Sequence, residues 1–404
     1  MRELFSSPKL DTGGGGKKRV ELYLHIPFCR QKCRYCDFVS LTGSEQYMSV
    51  YLDGLLAEAG VRLQRVPEPL ESIYIGGGTP SLLPVEELQR LLTGIHELFQ
   101  IRQDAEWTTE ANPGTLSATW LKTAVSGGVN RLSLGMQAAQ DRLLRMLGRI
   151  HSMEDVRQSV HLARSVGIRS LNLDLMFGLP EQTFQDWQET LEIALTLSPE
   201  HLSVYGLIPE KGTPLYADLL SGRLELPDVE AEREMYEYAR EKLSSAGYEQ
   251  YEISNWALPG YSCRHNIGYW RQHPYLGLGV SAASMTLIRK DGVGIAYLRE
   301  TNTSNLSDYL ARTLHGKSAV AEAVEIRAKE ARFETVMLGL RMTEGIRESD
   351  FSALHGVPME ACWGKKLQNL QEQGLLKHQH GRWFLTERGM DIQNAILVEL
   401  MEED

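Results

Sequence analysis

Between residues 19 and about 208 the chain alternates short apolar runs with amphipathic stretches, six times in succession. The runs VELYLHI (20–26), SIYIGG (72–77), EWTTEA (106–111), RLSLGM (131–136), SLNLDLMFG (170–178) and HLSVYGL (201–207) read as strands. The stretches between them, such as SEQYMSVYLDGLLAEAG and TFQDWQETLEIAL, carry helical spacing. Strands joined through helices run parallel with right-handed crossovers. The expectation is an α/β fold, a wound sheet or a partial (β/α)6 barrel. Either architecture gathers its ligands at the carboxyl ends of the strands.

After residue 208 the pattern changes. A charged helix at about 228–246 leads into YEQYEISNWALPGYSCRHNIGYW and then the glycine-punctuated YLGLGVSAAS. From about 324, three helical stretches precede LLKHQHGRWFLT, two short strands around a polar turn. Three helices and a hairpin predict a winged-helix-like α+β module. The expected division is a disordered tail at 1–18, a core barrel at 19–230, an extension at 231–320 and the module at 321–404. The module's helix PMEACWGKKLQNLQEQ has one basic pair, Lys365–Lys366, balanced by acids, and the chain carries a net charge of −11. Phosphate backbones demand more cationic surface than that. A docking or lid surface is expected there, and no nucleic acid.

The start of the chain lacks the apolar core of a secretory signal, and no apolar run approaches the ~18 residues a membrane helix needs. Five cysteines, an odd number and clustered, argue against a disulfide framework and for a reducing, cytoplasmic setting.

Three of the five, Cys29, Cys33 and Cys36, stand within HIPFCRQKCRYCDF at the end of the first predicted strand. Thiolates at this spacing can converge on one soft metal centre. Structural zinc wants four ligands, which His25 would complete. A 4Fe–4S cluster normally has four cysteines, and three leave one iron open to a substrate. Polar residues stand at the ends of later strands: IGGGTPS (75–81), Glu110, Gln137 and Asp174, with Arg149 in the loop LGRIH. A carboxylate inside a barrel is costly without donors. Glu110 and Asp174 therefore either meet a ligand or pair with Arg131 or Arg149.

C-x3-C-x2-C after a first strand resembles the signature of the radical S-adenosylmethionine (SAM) superfamily. YLHIPFC, YIGGGTPS, TTEANP, RLSLGMQ, HSMEDV, NLDLMFGLPEQT, HLSVYGLIPE, YEISNWA, CRHNIGYW and YLGLGVSAAS together resemble the HemN/HemW group within it. The resemblance implies that Cys29, Cys33 and Cys36 hold a 4Fe–4S cluster whose open iron binds SAM. Tyr23, Gly77 and Glu110 would contact that SAM. Tyr35, Gly78, Thr79, Gln137, Arg149 and Asp174 would line a second SAM site.

The oxidase members of the group, coproporphyrinogen III oxidases, extend the motif to C-x3-C-x2-C-x-C, whereas Phe38 stands at that last position here. They also carry a long N-terminal extension, and only some 20 residues precede the first strand. Both departures resemble the heme-chaperone branch, which implies heme binding and transfer without decarboxylation. The implied partners are heme, heme-accepting apoproteins and a reductant or heme-donor protein, with peripheral contact at a membrane. Imidazole and thiolate ligate heme iron, so the resemblance makes His265 of CRHNIGYW the leading axial ligand and Cys263 the reserve. On side-chain chemistry alone that segment reads as a packed loop.

Overall fold

A computed structural model describes residues 19–66, 68–290 and 294–401. The expected tail at 1–18 lies outside the described residues.

The six predicted strands form as β1 (Glu21–Ile26), β2 (Leu70–Gly77), β3 (Ile101–Ala111), β4 (Arg131–Gln137), β5 (Ser170–Phe177) and β6 (His201–Gly206). Each pairs parallel to the next. Helices cross between them, several starting on side-chain caps. Ser152 and Thr183 each close a reciprocal capping box with Asp155 and Asp186.

One face of this sheet is aliphatic: Leu22, Leu24, Ile73, Ile75, Leu132, Leu134, Leu171, Leu173, Leu202 and Val204 are buried in a single core with the surrounding helices. Side chains alternate between faces along a strand. The opposite face therefore carries Tyr23 and His25, Ser72 and Tyr74, Glu106 and Glu110, Arg131 and Ser133, Asn172 and Asp174, and His201 and Tyr205. Parallel sheets usually bury apolar residues on both faces. A polar inner face marks the lining of a functional interior.

Six further strands extend the sheet at its two ends. They are β7 (Glu249–Glu252), β8 (Asn255–Ala257), β9 (Tyr275–Leu278), β10 (Ala283–Lys290), β11 (Gly294–Asn302) and β12 (Val320–Ile326). The strand order is β12-β11-β10-β9-β1-β2-β3-β4-β5-β6-β8-β7, and β12 and β7 stand at opposite ends without pairing. The barrel is therefore partial. Of the flanking strands only β9 continues the parallel run, beside β1.

Two expected boundaries shift. Residue 230 falls inside the helix Val229–Ser245, whose Met235, Ala239 and Leu243 share the main core. Residue 321 falls inside β12, which pairs with β11, so the module begins after Ile326. There the helices Ala328–Gly339, Glu348–His355 and Met359–Glu372 accompany β13 (Ile346–Arg347), β14 (Leu376–Gln379) and β15 (Arg382–Leu385). The sheet order β13-β15-β14 and a separate core around Phe351, Leu367 and Trp383 fit the winged-helix expectation.

The module grips both ends of the large sheet. Glu252 of β7 bridges to Met342, and the Thr343 N–H donates to Tyr251 O at 3.1 Å. On the other side Arg299 of β11 pairs with Glu334 at 2.8 Å. No helix among the described residues is long and apolar enough to cross a membrane.

Candidate functional site

The loop after β1 carries Cys29, Cys33 and Cys36, all half-buried free thiols. The Cys29 N–H donates to Leu41 O at 2.9 Å and the Leu41 N–H to Pro27 O, closing the loop at its base. Its middle is pinned by the Arg34 N–H to Leu147 O, by Gln31 to Gly148 O, and by an Arg34–Asp218 ion pair. Burial pushes the Cys29 thiol up and that of Cys36 up to about 11, with the neighbouring thiols adding to the effect. Three thiols on one short loop, two of them disfavoured as thiolates by burial, form a donor set that fits a soft metal cluster.

A chain of hydrogen bonds encircles the thiols. Thr79 Oγ1 donates to Cys29 Sγ at 3.6 Å, and Asn112 Nδ2 donates to Thr79 Oγ1 at 3.0 Å. Arg149 Nη2 donates to Asn112 Oδ1 at 2.8 Å, and its Nη1 reaches Cys33 Sγ at 3.4 Å. The guanidinium also donates to Gly135 O at 2.8 Å, which holds it in the interior. Its fixed positive charge suits a negatively charged thiolate cluster.

The glycines of IGGGTPS each have a different steric cause. A Cβ on Gly76 would lie 2.9 Å from Glu110 Oε2. Gly77 has φ +107°, and its Cβ would enter the His25 ring at 2.4 Å. On Gly78 it would meet the backbone of the cysteine loop, at 2.7 Å from Phe28 O. The loop thus lies directly against the cluster segment.

Glu110 accepts from Tyr74 OH at 2.8 Å and from the Gly77 N–H at 3.0 Å. Burial pushes its carboxyl up to about 7, with Asp174 contributing in the same direction. Asp174, raised by burial, accepts from Asn172 at 2.7 Å and Ser133 at 3.2 Å. Neither carboxylate makes an ion pair with Arg131 or Arg149 among the described residues. Tyr23 stacks with Tyr74, and its hydroxyl lies 3.0 Å from His25 Nδ1. Gln137, at φ +66°, accepts from Tyr205 OH at 3.1 Å. Tyr35 is half-buried, within reach of the charges of Arg149 and Asp174.

The structure thus brings Tyr23, Tyr35, Gly77, Gly78, Thr79, Glu110, Gln137, Arg149 and Asp174 to the interior and carboxyl ends of the strands beside the cysteines. His25 is not free to ligate, because its second ring nitrogen meets Val39 O at 2.8 Å. Sequence reading passed over Tyr74, Asn112 and Tyr205. The signal available was a polar residue at each inward position of an otherwise aliphatic strand.

His265 does not join this group. It lies 1% exposed in the helix Arg264–Trp270, near the amino ends of the strands, with Nδ1 2.8 Å from Ser72 Oγ and its ring between Tyr74 and Tyr269. Cys263 is fully buried and its thiol faces Glu106 Oε1 at 3.4 Å. The Arg264 and His265 N–H groups both donate to the Glu106 carboxylate at 3.0 Å. No face of either expected heme ligand is open to a porphyrin. His265 and Cys263, the expected axial ligand and its reserve, are thus packed inside the protein, and CRHNIGYW plugs the floor of the barrel.

Residues 23–194 match the Radical SAM superfamily and residues 326–392 the HemN C-terminal domain. The chain resembles coproporphyrinogen III oxidase (HemN) from Escherichia coli at TM-score 0.80, over 95% of this chain and 90% of that one, with 23% identity. Fold and site together define a radical SAM protein of the HemN architecture. A Bacillus subtilis (strain 168) protein named heme chaperone HemW is 36% identical over 94% of this chain and 99% of its own. One of the same name from Escherichia coli (strain K12) is 36% identical over 95% and 98%. A bovine relative, radical S-adenosyl methionine domain-containing protein 1, mitochondrial, is 32% identical over 98% and 91%. The chain belongs to the HemW family.

Proposed function

We propose that this protein is a heme chaperone that binds heme and passes it to heme-accepting apoproteins in the cytoplasm. The carrying observation is similarity along nearly the whole chain to relatives named heme chaperones. Phe38 supports the same branch: it stands 64% exposed beside the cysteine loop, where the oxidase pattern has a further thiol.

Cys29, Cys33 and Cys36 would hold a 4Fe–4S cluster, whose open iron supplies a coordination position for the amino acid end of SAM. Around it the chain's own residues do the positioning. Arg149 and Thr79 donate to the thiolate sulfurs and hold their charge. Tyr74 and the Gly77 N–H orient Glu110, leaving its carboxylate to receive an ammonium. Gln137 and Asp174 offer polar atoms beyond it for a second ligand.

The test is anaerobic purification followed by hemin titration and mixing with an apo-hemoprotein whose own Soret band reports transfer. Transfer to the acceptor is expected, together with no protoporphyrinogen from coproporphyrinogen III, SAM and reductant. Oxidase turnover without heme transfer would reverse the assignment.

A further inference from the structure

At the end of the sheet away from the cysteine loop, where β4 and β5 begin, lies a cavity of about 420 Å³. That is within the ~300–1,000 Å³ of small-molecule sites. The segment 260–264 roofs it, and Glu106, Arg131, Ser170 and Ser262 line it. Apart from Tyr261 the lining offers little apolar surface, so its chemistry suits a small, polar occupant.

Arg131 is the unusual group in that lining. It lies 3% exposed, and its guanidinium makes no hydrogen bond or ion pair among the described residues, with Nε sealed off from any acceptor. A buried charge with no counter-ion ranks among the costliest features a fold can carry. By contrast, the buried Arg62 meets Glu300 at 2.9 Å, and Arg149 donates to Asn112 and Gly135. The carboxylates within reach of Arg131's charge are already engaged. Glu106 accepts the Arg264 and His265 N–H groups at 3.0 Å and faces the Cys263 thiol. Glu110 is held by Tyr74 and the Gly77 N–H, and Asp174 by Asn172 and Ser133. The hydroxyls of Ser170 and Ser262 also have no partner among the described residues. Three side chains on one cavity wall thus hold donors without an acceptor.

We propose that this cavity binds a small oxyanion, a carboxylate or phosphate group, held by the Arg131 guanidinium and the hydroxyls of Ser170 and Ser262. A guanidinium presents its donors in a planar fork that matches either group with two parallel hydrogen bonds. The site is separate from the SAM end of the barrel and stands independently of the heme-chaperone reading. Ser262 belongs to the roof that leads into the helix Arg264–Trp270, so the bound anion would tie that helix start to β4.

The experiment follows thermal melting of the full-length, cluster-loaded protein by circular dichroism. Inorganic phosphate and acetate are the two probes, and chloride at matched ionic strength is the blank, which removes general screening. A saturable rise in melting temperature over chloride is expected. A stronger response to phosphate assigns a tetrahedral ligand, and a stronger response to acetate a planar one. Arg131→Gln should weaken the apparent affinity at least tenfold, and Arg131→Lys should recover part of it. Ser262→Trp, which keeps the arginine but fills the cavity, should abolish the response. Iron and sulfide content certifies that each variant is folded. No saturable rise over chloride in the wild type would overturn the site, and so would a native response in either Arg131→Gln or Ser262→Trp.

Discussion

Glu110 is the residue whose environment speaks most directly about ligand charge. Its carboxyl is pushed up to about 7 by burial, although Tyr74 and the Gly77 N–H both favour the charged form. Above that pH it is a carboxylate that attracts an ammonium, and below it a neutral acid. SAM affinity of the cluster-loaded protein is therefore expected to rise as pH increases through about 7. Glu110→Gln should flatten that profile and cost about 1–3 kcal/mol of binding at pH 8, measured by calorimetry. The thiols make a second contrast. Replacing Cys33 by Ser should abolish iron and sulfide content, whereas Cys263→Ser should leave both unchanged, since Cys263 faces Glu106 in the barrel floor. Cluster loss in Cys263→Ser would contradict the three-thiol centre. Gly76, Gly77 and Gly78 were legible in the sequence as a strand-end motif, with Gly77 and Gly78 set beside SAM by resemblance. Their separate reasons depend on Glu110 and His25 arriving from other strands and Phe28 from the cysteine loop, which a linear pattern does not record.

Elements were more legible than contacts. The six parallel strands followed from alternating apolar runs, and the cysteine loop lies at a strand's carboxyl end as the architecture requires. CRHNIGYW was not legible in the same way. Its residue types suit heme, but its short helix is fixed by Glu106, whose carboxylate accepts both N–H groups at the helix start. A buried acid on a strand more than 150 positions away in the chain leaves no local trace in the segment it holds. Glu106→Ala should strand two buried donors and lower stability by about 2 kcal/mol, read as a shift in urea midpoint. Glu106→Gln, which keeps one acceptor, should lose less. Equal losses in the two variants would mean that packing, not hydrogen bonding, anchors the helix.

At the scale of the molecule, the module is held by charge pairs sunk into the barrel. Arg341 meets Glu252, whose side chain is wholly buried, at 2.9 Å, and its guanidinium lies over the Trp270 ring at 4.6 Å. Removing the arginine leaves a buried carboxylate without its counter-charge, which typically costs about 3–5 kcal/mol. Arg341→Ala should therefore lower the melting temperature markedly, measured by circular dichroism, and an unchanged melt would show that the pair is incidental. The sequence announced the module through its helix–helix–hairpin pattern. Its expected start at 321 falls inside β12, which is exposed along most of its length and finds its place by pairing with β11.

The large sheet ends in two strands that never meet, and the same small module holds on to both sides. A ring closed by a clasp behaves differently from one closed by its own links. Amide exchange at β7 and at β11 should be governed by a common opening event, although these strands lie at opposite margins. Whatever loosens the clasp should deprotect both margins together and leave the central strands protected. Deuterium uptake resolved by peptide would reveal that correlation.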